Sequence, residues 1–503
     1  MPQMMFSFVG NTVPDPILKL VESGDVVSFC IFKINMQSPD ELRAISEQIH
    51  TAAKRGGQPT PLVGIDQEGG QLMAVANGAT ELPGNMALGA TGSAQLAEEA
   101  GWVTGRELRA MGVTMNFAPI LDVNINPLNP VIGIRSFGDN PSLVGELGAA
   151  LIKGVQSQGV IATAKHFPGH GDTDSDSHLA SPVVNHDITR LTEVELAPFI
   201  TAIRAGVGAI MTAHVAYPAW DKDHSATLSK AILTDLLRNQ LGFKGLIVTD
   251  AMDMHAVSRL GMPYGAITAL DAGADLVMLG HLDGQAELHA SLKSRYSAAS
   301  LARIRHAQNT VGADFYDFSL VGCAEHQAIA QKIADKSITV VRDTRQTLPL
   351  KPNQSLGVVT VQPKNLTPAD SSAFIKIKFA DAVQKRRPDA VAHKLPFQAT
   401  DAEIREALTA VEGLDVVVVG TIVANHDPAQ AEFVKALMAR GQQVVVVALR
   451  TPYDLVAFPQ IETYLCAYGI RDVTTEAVAR VLFGEIPATG VLPCAIPGVG
   501  VGV

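Results

Sequence analysis

The chain has little cysteine, and this scarcity excludes a disulfide framework. Four cysteines occur in 503 residues, and the wide spacing of Cys30, Cys323, Cys466 and Cys494 matches neither a metal-binding nor a redox pair. We expect buried thiols in a reducing compartment.

The chain also lacks a basic face and a long apolar run. Its net charge is −11 and its Lys and Arg residues form no cluster, so we predict no nucleic-acid partner and no binding to an anionic membrane. No segment reaches the roughly 18 apolar residues that cross a bilayer, and no basic segment precedes the short apolar run at the N-terminus. A cytoplasmic protein with a neutral or compact ligand is therefore expected.

The chain is long enough for two hydrophobic cores, and we predict domains at residues 1–335 and 336–503. In the first domain, short apolar runs alternate with longer helical patterns, which is typical of parallel βα units. Eight such runs occur, at residues 5–9, 26–34, 62–65, 114–118, 160–164, 208–212, 246–249 and 275–279. This α/β pattern predicts an N-terminal (β/α)8 TIM-type barrel.

Polar residues follow several of these runs. They are Asp66 and Glu68 after the third run, Asp122 after the fourth, Lys165 and His166 after the fifth, His214 after the sixth and Asp250 after the seventh. Barrel enzymes carry their chemistry at the carboxyl ends of the strands, so we expect these side chains to surround one mouth.

The second domain restarts a strand and helix alternation of its own. Strand-like runs at residues 356–361, 415–421, 443–449 and 461–467 predict a small open sheet, and so a C-terminal α/β sandwich. Gly420-Thr421 is not a dinucleotide fingerprint. We expect a packing or oligomerisation domain and no cofactor.

The segment from Lys165 to His178 holds three histidines, three aspartates and a lysine within fourteen residues. Ionisable groups are costly to hold near a core unless they are paired or used, and Pro168, Gly169 and Gly171 favour a shaped loop. The segment is predicted to be the active-site loop.

Two features of the sequence suit catalysis by a nucleophile together with a general acid and base. Asp250 follows an apolar strand directly, which suits a nucleophile, although a carboxylate there can also cap the next helix; Asp253 better fits a cap or a surface acid. In Asp176-Ser177-His178 a carboxylate lies two residues from an imidazole, where it raises proton affinity and fixes the tautomer. His178 is then a general acid that becomes a base, unless the loop's charges are merely solvated.

Six segments together resemble glycoside hydrolase family 3. They are Asp66 to Gly70, Asn116 to Pro119, Arg135 to Gly138, Lys165 to Gly171, Asp176 to His178 and Thr249-Asp250. The Lys-His-Phe-Pro-Gly-His-Gly run followed by Asp-Ser-His resembles the β-N-acetylglucosaminidase branch. Residues 337–350 and 490–498 resemble the family's C-terminal sandwich domain.

The resemblance implies an exo-acting, retaining β-N-acetylglucosaminidase with no cofactor and no metal. Asp250 would be the nucleophile, and the Asp176–His178 dyad the general acid and base. Asp66, Arg135, Lys165, His166 and His214 would surround a terminal N-acetylglucosamine carried by a muropeptide, a chitooligosaccharide or another glycoside. His170 is expected to belong to the hydrogen bonds of its own turn.

The sequence departs from the family pattern at two positions. Gln71 stands where an arginine usually follows Glu-Gly-Gly, and Ala251 stands where a second aspartate is common. Both departures concern hydroxyl binding and the surroundings of Asp250.

Two alternatives remain open on the sequence, and a third does not fit it. The His and Asp residues of the 166–178 loop also suit a metal-dependent hydrolase, although their spacing fits no usual ligand motif. An imidazole base repels anions less than a carboxylate does, so phosphate is a possible acceptor beside water. A sugar-binding protein without activity would lack Asp250, Asp176 or His178, and all three are present.

Overall fold

The first domain contains eight short parallel strands. In the computed structural model, which describes residues 2–176, 181–258, 261–280, 283–367 and 369–499, they are β1 (Met4–Met5), β2 (Ser28–Cys30), β3 (Leu62–Ile65), β4 (Met115–Asn116), β5 (Ile161–Phe167), β6 (Ala209–Thr212), β7 (Leu246–Thr249) and β8 (Val277–Met278).

These strands close into a barrel. Strands β2 to β7 form one parallel sheet in chain order, and β1 pairs with β8 in parallel. Parallel bridges from Phe6 to Phe29 and from Val248 to Leu276 join that pair to both edges of the sheet. The predicted (β/α)8 architecture is confirmed.

Strand ends differ from the prediction for local reasons. Strand β2 stops at Cys30 because the chain turns into a 3-10 helix, Lys33–Asn35, in which the Asn35 side chain accepts from the amide of Phe32. Strand β5 continues to Phe167 because Lys165 pairs with the segment after β4, where the amide of Leu121 donates to the Lys165 carbonyl at 2.6 Å. Lys165 and His166 therefore lie within β5 rather than after it.

Side chains from all eight strands fill the barrel interior. They are Met5, Cys30, Leu62, Met115, Ile161, Met211, Val248 and Met278, packed with Phe117. Gly64 on β3 faces the Phe117 ring so closely that a Cβ would lie 2.4 Å from its Cζ. The interior is a packed core, which leaves the mouth as the place for a ligand.

Helices surround the barrel and begin at recognisable caps. Ser38 accepts from the amide of Glu41, and Asn140 accepts from the amides of Ser142 and Leu143. The helices are Asp15–Glu22, Pro39–Arg55, Asn85–Thr91, Ala94–Ala110, Pro141–Gln156, Ile188–Glu193, Ala197–Arg204, the π-helix Ala231–Gln240, His255–Ser258, Met262–Ala272, Gln285–Leu292 and Ala298–Thr310. Among the described residues, no helix combines the length and apolar character needed to cross a membrane.

The second domain is built on a six-stranded sheet. Its strands are β9 (Thr339–Asp343), β10 (Leu356–Val361), β11 (Val391–Leu395), β12 (Val416–Thr421), β13 (Gln443–Ala448) and β14 (Thr463–Cys466), in the spatial order β9-β14-β13-β12-β10-β11. Only the β9–β14 pair is antiparallel. The helices are Ala324–Ser337, Phe379–Gln384, Asp401–Ala410, Pro428–Ala439 and Asp472–Leu482.

Valine-rich β12 and β13 are buried almost throughout, as expected when helices cover both faces of a parallel sheet. The predicted α/β sandwich is confirmed. The predicted boundary at residue 335 falls inside the helix Ala324–Ser337 and stays a prediction.

The two domains share a buried apolar interface. Met86, Ala87, Ala90 and Ile134 of the first domain belong to the same hydrophobic cluster as the core of the second. The second domain therefore packs directly on the loops that follow β3 and β4.

Candidate active site

Charged residues from three strand ends converge on the floor of the barrel mouth, around Cys30. Burial raises the pKa of the Cys30 thiol, and nearby charges act on it as well. Asp66, Asp250 and Asp253 raise this pKa further, while Lys165 lowers it. Side chains from the ends of β3, β5 and β7 thus lie within electrostatic reach of one atom, as the strand-end pattern predicts.

Lys165 is an ammonium fixed between two carboxylates. Its Nζ lies 2.5 Å from Oδ1 of Asp66 and 2.7 Å from Oε1 of Glu68. Burial lowers the pKa of Lys165, but Asp66 and Glu68 outweigh burial and raise it overall. The side chain of Asp66 is 30% exposed, so Lys165 orients a carboxylate that still faces the mouth.

Glu68 links Lys165 to Arg135. Its two carboxylate oxygens accept from Nε and Nη2 of Arg135 at 2.9 and 2.8 Å, and both side chains are buried. Burial raises the pKa of Glu68, but the charges and hydrogen bonds of Arg135 and Lys165 lower it to about 2. Arg135 also donates from Nη1 to the Val131 carbonyl at 3.1 Å. These bonds use three of the five N–H donors of Arg135.

Asp122 holds the two histidines at the end of β5. Its Oδ1 accepts from the amides of His166 and His170 at 3.1 and 2.7 Å, and its Oδ2 lies 2.8 Å from Nδ1 of His166. Burial raises the pKa of Asp122, whereas His166 and His170 lower it overall. An ionised carboxylate only accepts, so Nδ1 of His166 carries a proton and the ring orientation is fixed.

His170 belongs to its own turn. Its Nδ1 lies 2.8 Å from Oγ1 of Thr173, and burial together with His166 lowers the pKa of His170 to about 4. The imidazole is therefore neutral at neutral pH.

The first half of the predicted active-site loop is held against the barrel. A Cβ on Gly171 would lie 1.8 Å from the Val123 carbonyl oxygen, so this approach requires glycine. Tyr217 donates from its hydroxyl to the Gly169 carbonyl, and the Asn129 amide donates to the His170 carbonyl at 2.9 Å. The backbone up to residue 171 is thus fixed by direct contacts with other loops.

The second half of the loop carries the predicted acid–base dyad. Asp176 is 5% exposed. His178 lies in residues 177–180, outside the described residues, so its pairing with Asp176 stays a prediction.

Asp250 is partly exposed at the end of β7, and its Oδ1 accepts from the amide of Ala251 at 2.8 Å. His214 is buried, with Nδ1 2.7 Å from Oγ1 of Thr227 and Nε2 3.0 Å from the Ala251 carbonyl oxygen. A carbonyl only accepts, so Nε2 carries a proton. His214 therefore fixes the backbone beside Asp250. Because Ala251 contributes backbone atoms here, its departure from the family pattern leaves both contacts intact.

The sequence places Glu68 and Asp122 at the barrel mouth but gives neither of them a role in catalysis or sugar binding. A signal was present for Glu68: it is two residues from Asp66, so both point the same way if the strand continues. Burial, which makes these two carboxylates organise the cations around them, is visible only in the structure.

The described residues do not form a metal centre in the loop. The one group of three described His, Cys, Asp or Glu residues with ligand atoms within 4.8 Å of one another is Cys323, Glu325 and His326, at the start of the helix Ala324–Ser337. His326 is bonded to Glu107 through Nδ1, at 2.8 Å. No described residue of the 166–178 loop belongs to this group.

Acid is expected to destabilise the protein through Glu68. The ordinary pKa of glutamate is 4.5 and that of Glu68 in the folded protein is about 2, so the unfolded chain binds more protons between these values. The stabilisation is fully present above about pH 4.5 and is lost as pH falls toward 2. At 1.36 kcal/mol per pKa unit, the loss is on the order of 3 kcal/mol. Urea unfolding at stepped pH measures it.

The matched variant for this prediction is Glu68→Gln. It should flatten the acid dependence, and at neutral pH it should cost about 3–5 kcal/mol because Arg135 and Lys165 lose a buried counter-charge. Equal acid dependence in wild type and variant would contradict the assignment.

Comparison with known proteins decides the family. The glycosyl hydrolase family 3 N-terminal domain matches residues 6–309, and the glycosyl hydrolase family 3 C-terminal domain matches residues 338–500. The chain belongs to glycosyl hydrolase family 3. The resemblance inferred from the sequence is confirmed, and the protein is a glycoside hydrolase.

Two known proteins align with this chain over nearly its whole length. Beta-hexosaminidase A of Pseudoalteromonas piscicida is 30% identical over 97% of this chain and 92% of its own length. A family 3 β-N-acetylglucosaminidase from Paenibacillus sp. str. FPU-7 superposes with a TM-score of 0.90 at 36% identity, covering 99% of this chain and 98% of its own.

A shorter protein of similar structure has a sugar analogue bound. NagZ from Neisseria gonorrhoeae, solved in complex with N-trifluoroacetyl-D-glucosamine, is 28% identical with a TM-score of 0.57. The similarity covers 66% of this chain and 98% of that one.

Proposed function

We propose that this family 3 enzyme is a retaining, exo-acting β-N-acetylglucosaminidase. One observation carries the proposal: the partly exposed carboxylate of Asp250 shares the barrel mouth with Asp66, a second carboxylate that Lys165 holds in place. The first suits attack on an anomeric carbon, and the second suits two hydroxyls of the same sugar. Similarity over nearly the whole chain to a beta-hexosaminidase and to a β-N-acetylglucosaminidase supports this choice of sugar.

The reaction would proceed by double displacement. Asp250 attacks the anomeric carbon while His178 gives its proton to the leaving oxygen, so that the glycosidic bond breaks and a covalent glycosyl–Asp250 ester forms. His178, now neutral, removes a proton from water, whose oxygen attacks the same carbon and releases Asp250. Asp176 stabilises the imidazolium at both ends of this cycle.

The terminal sugar would be held by groups whose geometry is already set. Asp66 accepts from hydroxyls, and Lys165 and His166 donate to them. Arg135 is proposed to donate with the part of its fork that Glu68 and Val131 do not occupy. His214 acts through the backbone at Ala251, which holds Asp250 in place.

The natural substrates are proposed to be glycosides with a terminal β-linked N-acetylglucosamine, such as muropeptides or chitooligosaccharides. We place the enzyme in the cytoplasm, since Cys30, Cys323, Cys466 and Cys494 are free and three of them are buried.

Wild-type enzyme is expected to cleave an aryl β-N-acetylglucosaminide at least about a hundredfold faster, in kcat/KM, than the matching aryl β-glucoside, a discrimination that polar recognition in a buried site can reach. EDTA should leave the rate unchanged. Loss of activity with EDTA, or equal rates on both glycosides, would overturn the proposal. Product analysis in phosphate buffer reports the acceptor: free N-acetylglucosamine indicates water, and a sugar 1-phosphate indicates phosphorolysis.

A further inference from the structure

The second domain is hydrogen-bonded to the hairpin that carries Glu68. This hairpin pairs Gln67–Gly69 with Leu72–Met73 in antiparallel fashion and turns at Gly70 and Gln71. The Gln71 side chain donates from Nε2 to the Ala369 carbonyl at 3.0 Å, and the Gln71 carbonyl accepts from the amide and hydroxyl of Ser371 at 3.2 and 2.6 Å. Arg471 donates to the Gly70 carbonyl at 2.8 Å. Four hydrogen bonds thus join this turn to the second domain.

The same segment of the second domain also packs against the loop that carries Arg135. Ala369 clusters with Ile120, Val131 and Ile132, and Leu72 of the hairpin packs on that cluster. The Val131 carbonyl accepts from Arg135. Residues 369 and 371 therefore touch the supports of both partners in the buried Glu68–Arg135 pair.

A buried ion pair fixes this segment to its own domain. Nη1 of Arg450 lies 2.7 Å from Oδ2 of Asp370, and the two side chains are 8% and 0% exposed. Asp370 also accepts from the amides of Ser372 at 2.8 Å and Leu366 at 3.1 Å. Arg450 follows β13, so the segment is tied to the central sheet of the second domain.

We propose that Arg450, Asp370 and Ser371 are positioning residues for the sugar site of the first domain. The contacts run from Arg450 through Asp370 and the 369–371 segment to the hairpin, and from there through Glu68 to Lys165 and Arg135. Gln71, the departure from the family pattern, makes three of the four hydrogen bonds between this turn and the second domain. The proposal rests on the proposed function, because Lys165 and Arg135 are assigned to the terminal sugar.

The test is Arg450→Gln in the full-length enzyme, with Arg386→Gln as the matched control. Arg386 forms ion pairs with Glu476 at 2.8 Å and Glu485 at 2.5 Å, all within the second domain. Both variants remove one partly or fully buried arginine charge from that domain, but Arg450 holds the 369–371 segment that contacts Gln71, whereas Arg386 pairs with neither that segment nor the hairpin. Asp370→Asn keeps the side-chain shape and serves as a second variant if Arg450→Gln folds poorly.

Arg450→Gln and Asp370→Asn should lower kcat/KM for an aryl β-N-acetylglucosaminide by about 10- to 100-fold, as small displacements of positioning groups do. The loss should fall mainly on KM, and the inhibition constant of N-acetylglucosamine should rise in parallel. The pH profile should keep its shape, since the dyad is untouched. Arg386→Gln should stay within about threefold of wild type.

Three results would contradict these expectations. Equal effects of Arg450→Gln and Arg386→Gln at matched unfolding midpoints would show that the second domain only stabilises the fold. A changed pH profile with unchanged KM would also overturn the positioning role. A wild type that does not cleave the aryl N-acetylglucosaminide overturns the proposed function itself, and the positioning role with it.

Discussion

Replacing Asp250 with alanine is expected to lower kcat/KM for an aryl β-N-acetylglucosaminide by about 10⁴-fold or more, which is the scale for loss of a covalent nucleophile. The carboxylate sits at the end of β7, partly exposed, with one oxygen held by the amide of Ala251. Without it no glycosyl ester can form. The fold should be unaffected, because the side chain faces the mouth and its removal leaves the contact between His214 and the Ala251 carbonyl in place.

Added azide should restore a measurable reaction to the Asp250→Ala variant. A small anion can enter the space that alanine leaves and attack the anomeric carbon from the face that Asp250 occupied, so Asp250→Ala with azide should release an α-glycosyl azide. Asp253→Asn is the matched control: this carboxylate is three residues away and also acts on Cys30, yet the variant should stay within about threefold of wild type. Activity of Asp250→Ala above about 1% without azide, or a β-azide product, would contradict the nucleophile assignment.

The sequence predicts the barrel because short apolar runs alternate regularly with longer helical patterns. All eight apolar runs become strands, although β1, β4 and β8 have only two residues each. Strand β5 is longer than predicted and runs through Lys165 and His166, because the segment after β4 supplies hydrogen-bond partners. Such a partner comes from tertiary contact, which a strand pattern does not contain.

The same pattern predicts which charged residues lie at the barrel mouth. It does not predict how these residues contact one another. Asp66, Lys165 and Asp250 are predicted from their positions at strand ends, and the structure brings them together. The sequence does not distinguish a carboxylate that faces the mouth from a buried one that orients cations, so it places Glu68 and Asp122 at the mouth without giving them a role. The hydrogen bond from Ser371 to Gln71 joins residues 300 positions apart. A local sequence pattern does not predict such a contact.

The second large effect is expected from His178→Ala, and it should depend on the leaving group. An unactivated sugar alcohol needs a proton as it departs, so kcat/KM for a disaccharide should fall by about 10³-fold, within the usual range for general acid catalysis. A dinitrophenolate departs without a proton, so kcat/KM for the dinitrophenyl glycoside should fall by no more than about tenfold. Since His178 is also the base of the second step, kcat should fall for both substrates.

The effects of His178→Ala on the two steps together predict that the glycosyl–Asp250 intermediate accumulates. With the dinitrophenyl glycoside, His178→Ala should release a burst of dinitrophenolate equal to the enzyme concentration and then turn over slowly, because glycosyl–Asp250 forms quickly and hydrolyses slowly. Asp176→Asn should show the same pattern to a smaller degree, about 10²-fold, since it weakens the imidazolium without removing the imidazole. Asp174→Asn tests an exposed carboxylate of the same loop, whereas Asp176 is buried. If both Asp variants behave alike, the loop's charge matters and the dyad does not.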